Sequence, residues 1–302
     1  MSGRGKAGAA PAEAGCVVAS FGRSFTVEFA DGARATCTTR GKRTDIACGD
    51  RVAVARSAPD QGVIEAIESR VSLFYRSDIQ RQKLIAANVT RIVVVLAAPS
   101  VHLHLLDRCI AAAEYARIPV LLALNKMDLA QAGAALATLA PYRRLGYEVL
   151  PLAAKIDVAP LRAALAGHTS VLVGQSGMGK STIINRLLPA AAARVGELSM
   201  ALGSGRHTTT HARLYRLDAD SAIIDSPGLQ EFGLQHVEPV ALAGCFVEFR
   251  PCLGHCRFND CRHISEPGCA IAAAADAGTI DAMRLASYRE LLLQIEKKAR
   301  RR

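Results

Sequence analysis

The sequence predicts a multidomain chain: a small β-barrel, then an α/β unit with a parallel sheet, then a helical module rich in Cys and His. Three observations carry that reading. Short strands with turn signals fill the first part of the chain, compact apolar runs then alternate with helical stretches, and a Cys/His cluster follows where the strand signals stop. With 302 residues, half of them hydrophobic and 21% charged, the chain can build two or three domains, each around its own core.

Residues 1–14 are small, polar and Pro-containing, with a slight basic balance, and are expected to be a disordered tail. They hold no apolar h-region of a secretory signal. Over 15–71, Phe25, Val27 and Phe29 alternate with polar residues and Asp31-Gly32 marks a hairpin turn. Further strands are expected at 17–20, 34–38, 51–55 and 63–67. Five short strands in so little chain suggest a closed barrel, of which the OB-fold is the commonest nucleic-acid-binding form.

Over 72–232 the period changes. Apolar runs at 91–97, 119–124, 147–150, 169–173, 213–217 and 222–224 read as buried strands, with helices between most of them, for example 105–116 and 130–145. That alternation implies a parallel sheet covered on both faces, with its ligand site at the strands' C-terminal ends. Over 233–302 come the Cys/His cluster, an Ala-rich helix near 270–277, and a last helix near 281–300. The last helix carries Leu285, Tyr288, Leu292 and Ile295 on one face. No apolar run approaches the ~18 residues of a membrane helix, so the expectation is a soluble cytoplasmic protein, monomeric by default.

The net charge is +10, spread along the chain with two concentrations. One is Arg40, Lys42 and Arg43; the other is the tail Lys297, Lys298, Arg300, Arg301 and Arg302. These are the candidate contacts to a polyanion, with RNA the leading class.

The strongest motif is Gly174-Gln175-Ser176-Gly177-Met178-Gly179-Lys180-Ser181, between the strand at 169–173 and a helix opening at Thr182. Gly, four residues, Gly, Lys, Ser is the phosphate-loop spacing: its backbone N–H groups turn inward around phosphate oxygens at a helix N-terminus. Lys180 would reach the β- and γ-phosphates, and the Ser181 hydroxyl would ligate Mg²⁺. Asn125-Lys126-Met127-Asp128 follows the strand ending at 124 and names the base. A carboxylate at Asp128 accepts from guanine N1–H and the 2-amino group, a donor pair that adenine lacks. Ala153-Ala154-Lys155 resembles the loop whose backbone N–H meets guanine O6.

Asp225-Ser226-Pro227-Gly228 closes the set: Asp225 would hold Mg²⁺ through water and the Gly228 N–H would contact the γ-phosphate. Between them, the stretch 203–210 is Gly-containing and hydroxyl-rich, suited to a switch that supplies a Thr to Mg²⁺. Thr209 is the favoured member of Thr208, Thr209 and Thr210. The cluster Cys256-x₄-Cys261-x-His263-x₅-Cys269 offers three thiolates and an imidazole, a closed tetrahedral set expected for structural Zn²⁺. Cys245, Cys252 and His255 are further potential donors.

The order of the motifs is anomalous. An ordinary GTPase runs phosphate loop, switch Thr, DxxG, NKxD, SAK; here NKMD and AAK come first. That circular permutation, flanked by a barrel and a Cys/His module, resembles the RsgA family of small-ribosomal-subunit-dependent GTPases over nearly the whole chain. The resemblance implies GTP hydrolysis in late 30S maturation, binding near the decoding region, and release after hydrolysis. It also implies a role for His207 in orienting water. The residue after DxxG is Leu229, where many GTPases use Gln, and Gln230 is one position out of register, so a slow, partner-dependent rate is expected. Two other readings stay open: an RNA-binding scaffold that scarcely turns over, permitted by Leu229, and a P-loop ATPase or kinase, opposed by Asn125 and Asp128.

Overall fold

The structure is a computed structural model that describes residues 12–41, 45–77, 82–188, 212–225, 234 and 237–299. Five strands make the barrel: β1 (Glu13–Phe21), β2 (Ser24–Phe29), β3 (Arg34–Thr39), β4 (Arg51–Ala58) and β5 (Gln61–Ile67). β1, β2 and β3 run as an antiparallel meander, β3 pairs parallel with β5, and β5 pairs antiparallel with β4. β4 returns to β1 and closes the barrel. Alternation drives the closure: Phe25, Val27 and Phe29 point inward onto Val17, Cys37, Val52, Val54 and Ile64. Gly32 takes a left-handed φ of 81° in the β2–β3 turn, and Asp31 Oδ1 accepts from the Ala33 amide. β1 starts two residues before the expected barrel boundary. Glu13 and Ala14 pair with Val54 and Ala53, and Glu13 forms an ion pair with Arg56 at 2.8 Å.

A hairpin that the apolar pattern does not announce follows: β6 (Leu73–Ser77) and β7 (Gln82–Ala87). The second sheet contains β8 (Arg91–Ala97), β9 (Val120–Asn125), β10 (Glu148–Pro151), β11 (Thr169–Val173), β12 (Arg213–Arg216) and β13 (Ala222–Asp225). Its order is β10-β9-β8-β11-β13-β12, parallel except for antiparallel β12. β8 is buried on both faces. Ile92, Val94 and Leu96 join the core under α1 (Leu103–Ala116), while Val93 and Val95 join the core under α4 (Ala159–Ala164) and α5 (Lys180–Leu187). Barrel and sheet are continuous, because Ala19 of β1 pairs with Arg213 of β12 and makes eleven strands in all.

The helix expected over 130–145 is broken into α2 (Ala132–Ala137) and α3 (Ala140–Arg144). Thr138 Oγ1 donates back to the Ala135 carbonyl, and Pro141 starts a new helix in its first turn because it brings no N–H to the old one. After 237 the chain makes three short 3₁₀ turns, then α6 (Ala270–Asp276) and α7 (Ala282–Ala299). Leu285, Tyr288, Leu292 and Ile295 are all buried, as the helical spacing requires.

A buried ionic cluster fastens this module to the sheet domain. Arg284 of α7 is 2% exposed. It donates to Asp107 of α1 at 2.6 Å and to Glu248 at 2.6 and 3.0 Å. The Tyr142 hydroxyl of α3 donates to the same Asp107 oxygen at 2.5 Å. Arg250 adds an ion pair to Glu114 at the other end of α1. Among the described residues no helix is long and apolar enough to cross a membrane.

Candidate nucleotide and metal sites

Three loops meet at the C-terminal ends of β9, β10 and β11. The loop after β11 turns because Gly174, Gly177 and Gly179 take φ values of 147°, 80° and 96°. α5 begins at Lys180 and no side chain caps it, so its first-turn N–H groups face the loop. Lys180 folds over the loop and donates to the carbonyls of Gly174 and Gln175 at 2.5 and 2.7 Å, which leaves a third donor. Burial lowers its pKa, and Asp225 opposes that shift. Asp225, at the end of β13, is half-buried; burial raises its pKa while Lys180 and Arg213 lower it. Ser176 and Ser181 are exposed at the rim, with Met178 and Thr182 partly covered.

Asn125 staples the loops together. It is 3% exposed, donates from Nδ2 to the Met178 carbonyl at 3.0 Å and accepts at Oδ1 from the Ala154 amide at 3.0 Å. Lys126 then takes a left-handed φ of 62°, and the Met127 amide donates to Leu152. This turn leaves Asp128 exposed beside the loop of Ala153, Ala154 and Lys155. Arg186 of α5 fixes that loop by donating to the carbonyls of Lys155 and Ile156 at 3.1 and 2.7 Å. The arrangement offers backbone amides and a lysine to phosphates at one end, and a carboxylate to an N–H pair at the other. A Cβ at Gly179 would stand 2.3 Å from Asn125 Nδ2. Gly179→Ala is therefore expected to weaken GDP binding more than tenfold in a fluorescence titration; an unchanged affinity would show that the contact does not govern the loop.

The second site lies in the C-terminal module. Donor atoms of Cys256, Cys261, His263 and Cys269 all lie within 4.8 Å of one another. His263 Nδ1 is 3.5 Å from Cys256 Sγ and 3.4 Å from Cys269 Sγ. Ligands at zinc distances of about 2.3 Å for sulfur and 2.0 Å for nitrogen stand about 3.5–3.8 Å apart in a tetrahedron, so this set fits zinc. Its surroundings fit as well. The Ala270 and Ala272 amides, at the N-terminus of α6, donate to Cys256 Sγ and Cys269 Sγ at 3.4 Å and favour thiolates. Arg289 donates to the His263 carbonyl at 3.0 Å and holds the left-handed His263 backbone in place. Cys252, a potential donor by sequence, stays outside the cluster and packs against the core.

The motif order along this sheet is permuted, and the comparisons agree with it. The family profile of the RsgA GTPases matches residues 67–235. A protein named small ribosomal subunit biogenesis GTPase RsgA from Nitrosomonas europaea is 53% identical over 94% of this chain and 92% of its own. The chain belongs to the RsgA GTPase family. A Neisseria meningitidis relative of the same name is 49% identical over 89% of this chain and 88% of its own. Among solved structures, YjeQ from Thermotoga maritima superposes with a TM-score of 0.74 at 27% identity, covering 94% of this chain and 98% of that one. YloQ, described as a circularly permuted GTPase, has a TM-score of 0.72 at 24% identity and supports the fold.

The structure thus brings together Asn125, Lys126, Met127, Asp128, Ala153, Ala154, Lys155, the loop from Gly174 to Thr182, and Asp225. His207, Thr209 and Gly228 lie outside the described residues, as do Leu229, Gln230, Lys42, Arg43, Arg300, Arg301 and Arg302. Arg40 is exposed and paired with Glu65 at 2.9 Å, and Lys297 is exposed on α7. Arg186 and Arg284, which hold the loop and the module, carry no motif signal of their own. Arg186 could have been suspected from its place on the helix after the phosphate loop.

Proposed function

We propose that this RsgA GTPase hydrolyses GTP in the assembly of the small ribosomal subunit, with turnover stimulated by the 30S particle and hydrolysis driving release. The observation that carries the reading is Asn125, one buried amide that ties the phosphate loop to both base-side loops. Guanine selection and phosphate binding are then properties of one rigid unit. In this reading Asp128 accepts from the guanine N–H pair, the Ala154–Lys155 backbone faces O6, and Gly174 to Thr182 wrap the phosphates. Lys180 gives up its loop carbonyls for the β- and γ-oxygens.

Ser181, Thr209 and, through water, Asp225 would hold Mg²⁺, which when bound neutralises charge on those oxygens. Gly228 would donate its N–H to the γ-phosphate and His207 would orient the attacking water. Leu229 cannot do so, since a hydrocarbon side chain offers water no hydrogen bond. The barrel, Arg40, Lys42 and Arg43, together with Lys297, Lys298, Arg300, Arg301 and Arg302, would meet rRNA phosphates. The ribosomal substrate makes the cytoplasm its compartment.

The test is GTP turnover by zinc-replete protein alone, with 30S subunits, and with 50S subunits. Stimulation at least tenfold by 30S only supports the proposal. Tight GTP binding without stimulation would replace it with an RNA-binding scaffold, and effective competition by ATP would replace it with a kinase-like reading.

Cys256, Cys261, His263 and Cys269 would hold one structural zinc. Cys269→Ser is expected to lose the single equivalent of zinc and the hydrogen-exchange protection of α6, while the barrel keeps its own. Retention of one zinc per chain by this variant would remove Cys269 from the ligand set.

A further inference from the structure

The base-side loop, residues 153–158, has no apolar anchor at its tip. Ala154 and Val158 are buried in the core under α4 and α5, but Lys155, Ile156 and Asp157 between them are exposed, Ile156 at 67%. The hold on the tip comes from α5. Arg186 Nη1 donates to the Lys155 carbonyl at 3.1 Å and Nη2 to the Ile156 carbonyl at 2.7 Å, so one planar guanidinium takes two successive carbonyls. Arg186 lies on α5 about 9 Å along the axis from Lys180, at 1.5 Å per residue. The helix that opens on the phosphate loop thus holds the base loop with its last turn.

Within the loop, the bonds single out one amide. The Ala154 N–H donates to Asn125 Oδ1 at 3.0 Å, and the Ile156 and Asp157 N–H groups donate to the Ala153 carbonyl at 2.8 and 2.9 Å. The Lys155 N–H has no partner among the described residues. Its peptide unit lies between the Ala154 amide, held by Asn125, and the Lys155 carbonyl, held by Arg186. The bonds to the Ala153 carbonyl are internal to the loop and move with it, so Arg186 ties the far side of that unit to the rest of the domain. Without it the tip can pivot about Ala154 and carry the Lys155 N–H away, since planar peptide units turn freely only at φ and ψ. Arg162 of α4 donates to the Leu187 carbonyl at the end of α5 and joins the two helices separately. Releasing Arg186 therefore frees the loop without parting the helices.

We propose that Arg186 is a positioning residue for guanine recognition: by holding the carbonyls of Lys155 and Ile156 it keeps the Lys155 N–H aimed at an acceptor on position 6 of the base. The inference rests on the reading of this loop, given under the proposed function, as the one that faces O6. In that reading Asp128 meets positions 1 and 2 from a different loop, and Arg186 makes no hydrogen bond to it among the described residues. Recognition at position 6 is then separable from recognition at position 2.

The test is displacement of N-methylanthraniloyl GDP from the full zinc-loaded chain by GDP, 6-thio-GDP and inosine diphosphate. The thio analogue keeps N1–H and the 2-amino group but carries sulfur, a larger and weaker acceptor, at position 6. Inosine diphosphate keeps O6 and N1–H and lacks the 2-amino group. Arg186→Ala is expected to bind GDP six- to tenfold more weakly and 6-thio-GDP within twofold of the parent, which narrows the preference for oxygen at least threefold. Its preference for GDP over inosine diphosphate stays within twofold of the parent's. Arg186→Lys recovers only part, because an ammonium is a point charge where the guanidinium fork spans two carbonyls. Arg186 is exposed, so thermal stability should stay within a degree or two of the parent.

An unchanged GDP affinity for Arg186→Ala overturns the proposal. So does an equal loss toward GDP and 6-thio-GDP, or a matching fall in the preference over inosine diphosphate, either of which makes Arg186 a general brace of the site. A parent chain that binds GDP and 6-thio-GDP alike is a different result, and it refutes the O6 reading of the loop on which the proposal rests.

Discussion

Asp128→Asn is expected to weaken GDP and GTP binding by about a thousandfold, and to admit xanthosine nucleotides that the parent rejects. In the proposed reading a carboxylate at 128 would accept from two guanine donors, N1–H and the 2-amino group. An asparagine accepts one of them and turns its own N–H groups toward the other, leaving donors facing each other without an acceptor. Xanthine carries an oxygen at position 2, so the asparagine donor and acceptor both find partners. Asp128 is exposed, and the substitution should leave thermal stability within a degree or two of the parent. The measurement is competitive displacement of a fluorescent guanine nucleotide by GDP and by xanthosine diphosphate. Unaltered preference for GDP would show that Asp128 does not read the base. Asn125→Ala is a useful contrast, because it removes two buried hydrogen bonds and should reduce stability as well as affinity.

The largest effect on stability is expected at Arg284. Arg284→Met leaves Asp107 and Glu248 facing each other in a site where their side chains are 2% and 6% exposed. Breaking a buried ionic cluster by removing one partner costs about 3–5 kcal/mol, because the remaining charge has neither water nor a counter-ion. The same change also strips the guanidinium from the faces of Phe246 and Tyr142, at 4.6 and 5.3 Å. Chemical denaturation followed by exchange protection in α7 reads the loss. Adding Asp107→Asn and Glu248→Gln to Arg284→Met should recover part of it, since neutral amides are cheaper to bury than carboxylates. A single substitution that lowers stability by under 1 kcal/mol would mean that apolar contacts alone hold the C-terminal module.

The legible parts of this protein are those where ligand chemistry dictates residue type. Gly174, Gly177, Gly179 and Lys180 could be read because a phosphate demands close backbone approach and a cation. Asn125 and Asp128 could be picked out because their motif follows directly on a buried strand, and the structure sets Asn125 at the end of β9 against the phosphate loop. The Cys256–Cys269 set stood out because four soft donors in a short span have few other uses. Barrel strand β2 was legible through the alternation of Phe25, Val27 and Phe29.

What escaped was set by tertiary partners rather than local pattern. The hairpin β6–β7 carries its apolar residues in two short runs, Leu73–Tyr75 and Leu84–Ala87, without alternation, and the break between α2 and α3 turns on the Thr138 hydroxyl and the ring of Pro141. The Arg284 cluster draws on residues up to 177 positions apart, so no window of sequence contains it. The four residues of β12 gave no sign that both their edges would be occupied.

The permuted connectivity also sets an order of synthesis. β8 leaves the ribosome as an almost wholly apolar strand, and β9 soon covers one edge. Its other edge belongs to β11, about 70 residues downstream. At about 5–20 residues per second, that edge stays open for several seconds in every round of translation. An unpaired apolar edge is the usual template for intermolecular β-pairing. The barrel, made first and closed on itself by β4, has almost no such edge to offer. The period of risk in making this protein therefore falls in the middle of the chain and ends only when the phosphate-loop strand slides in beside β8.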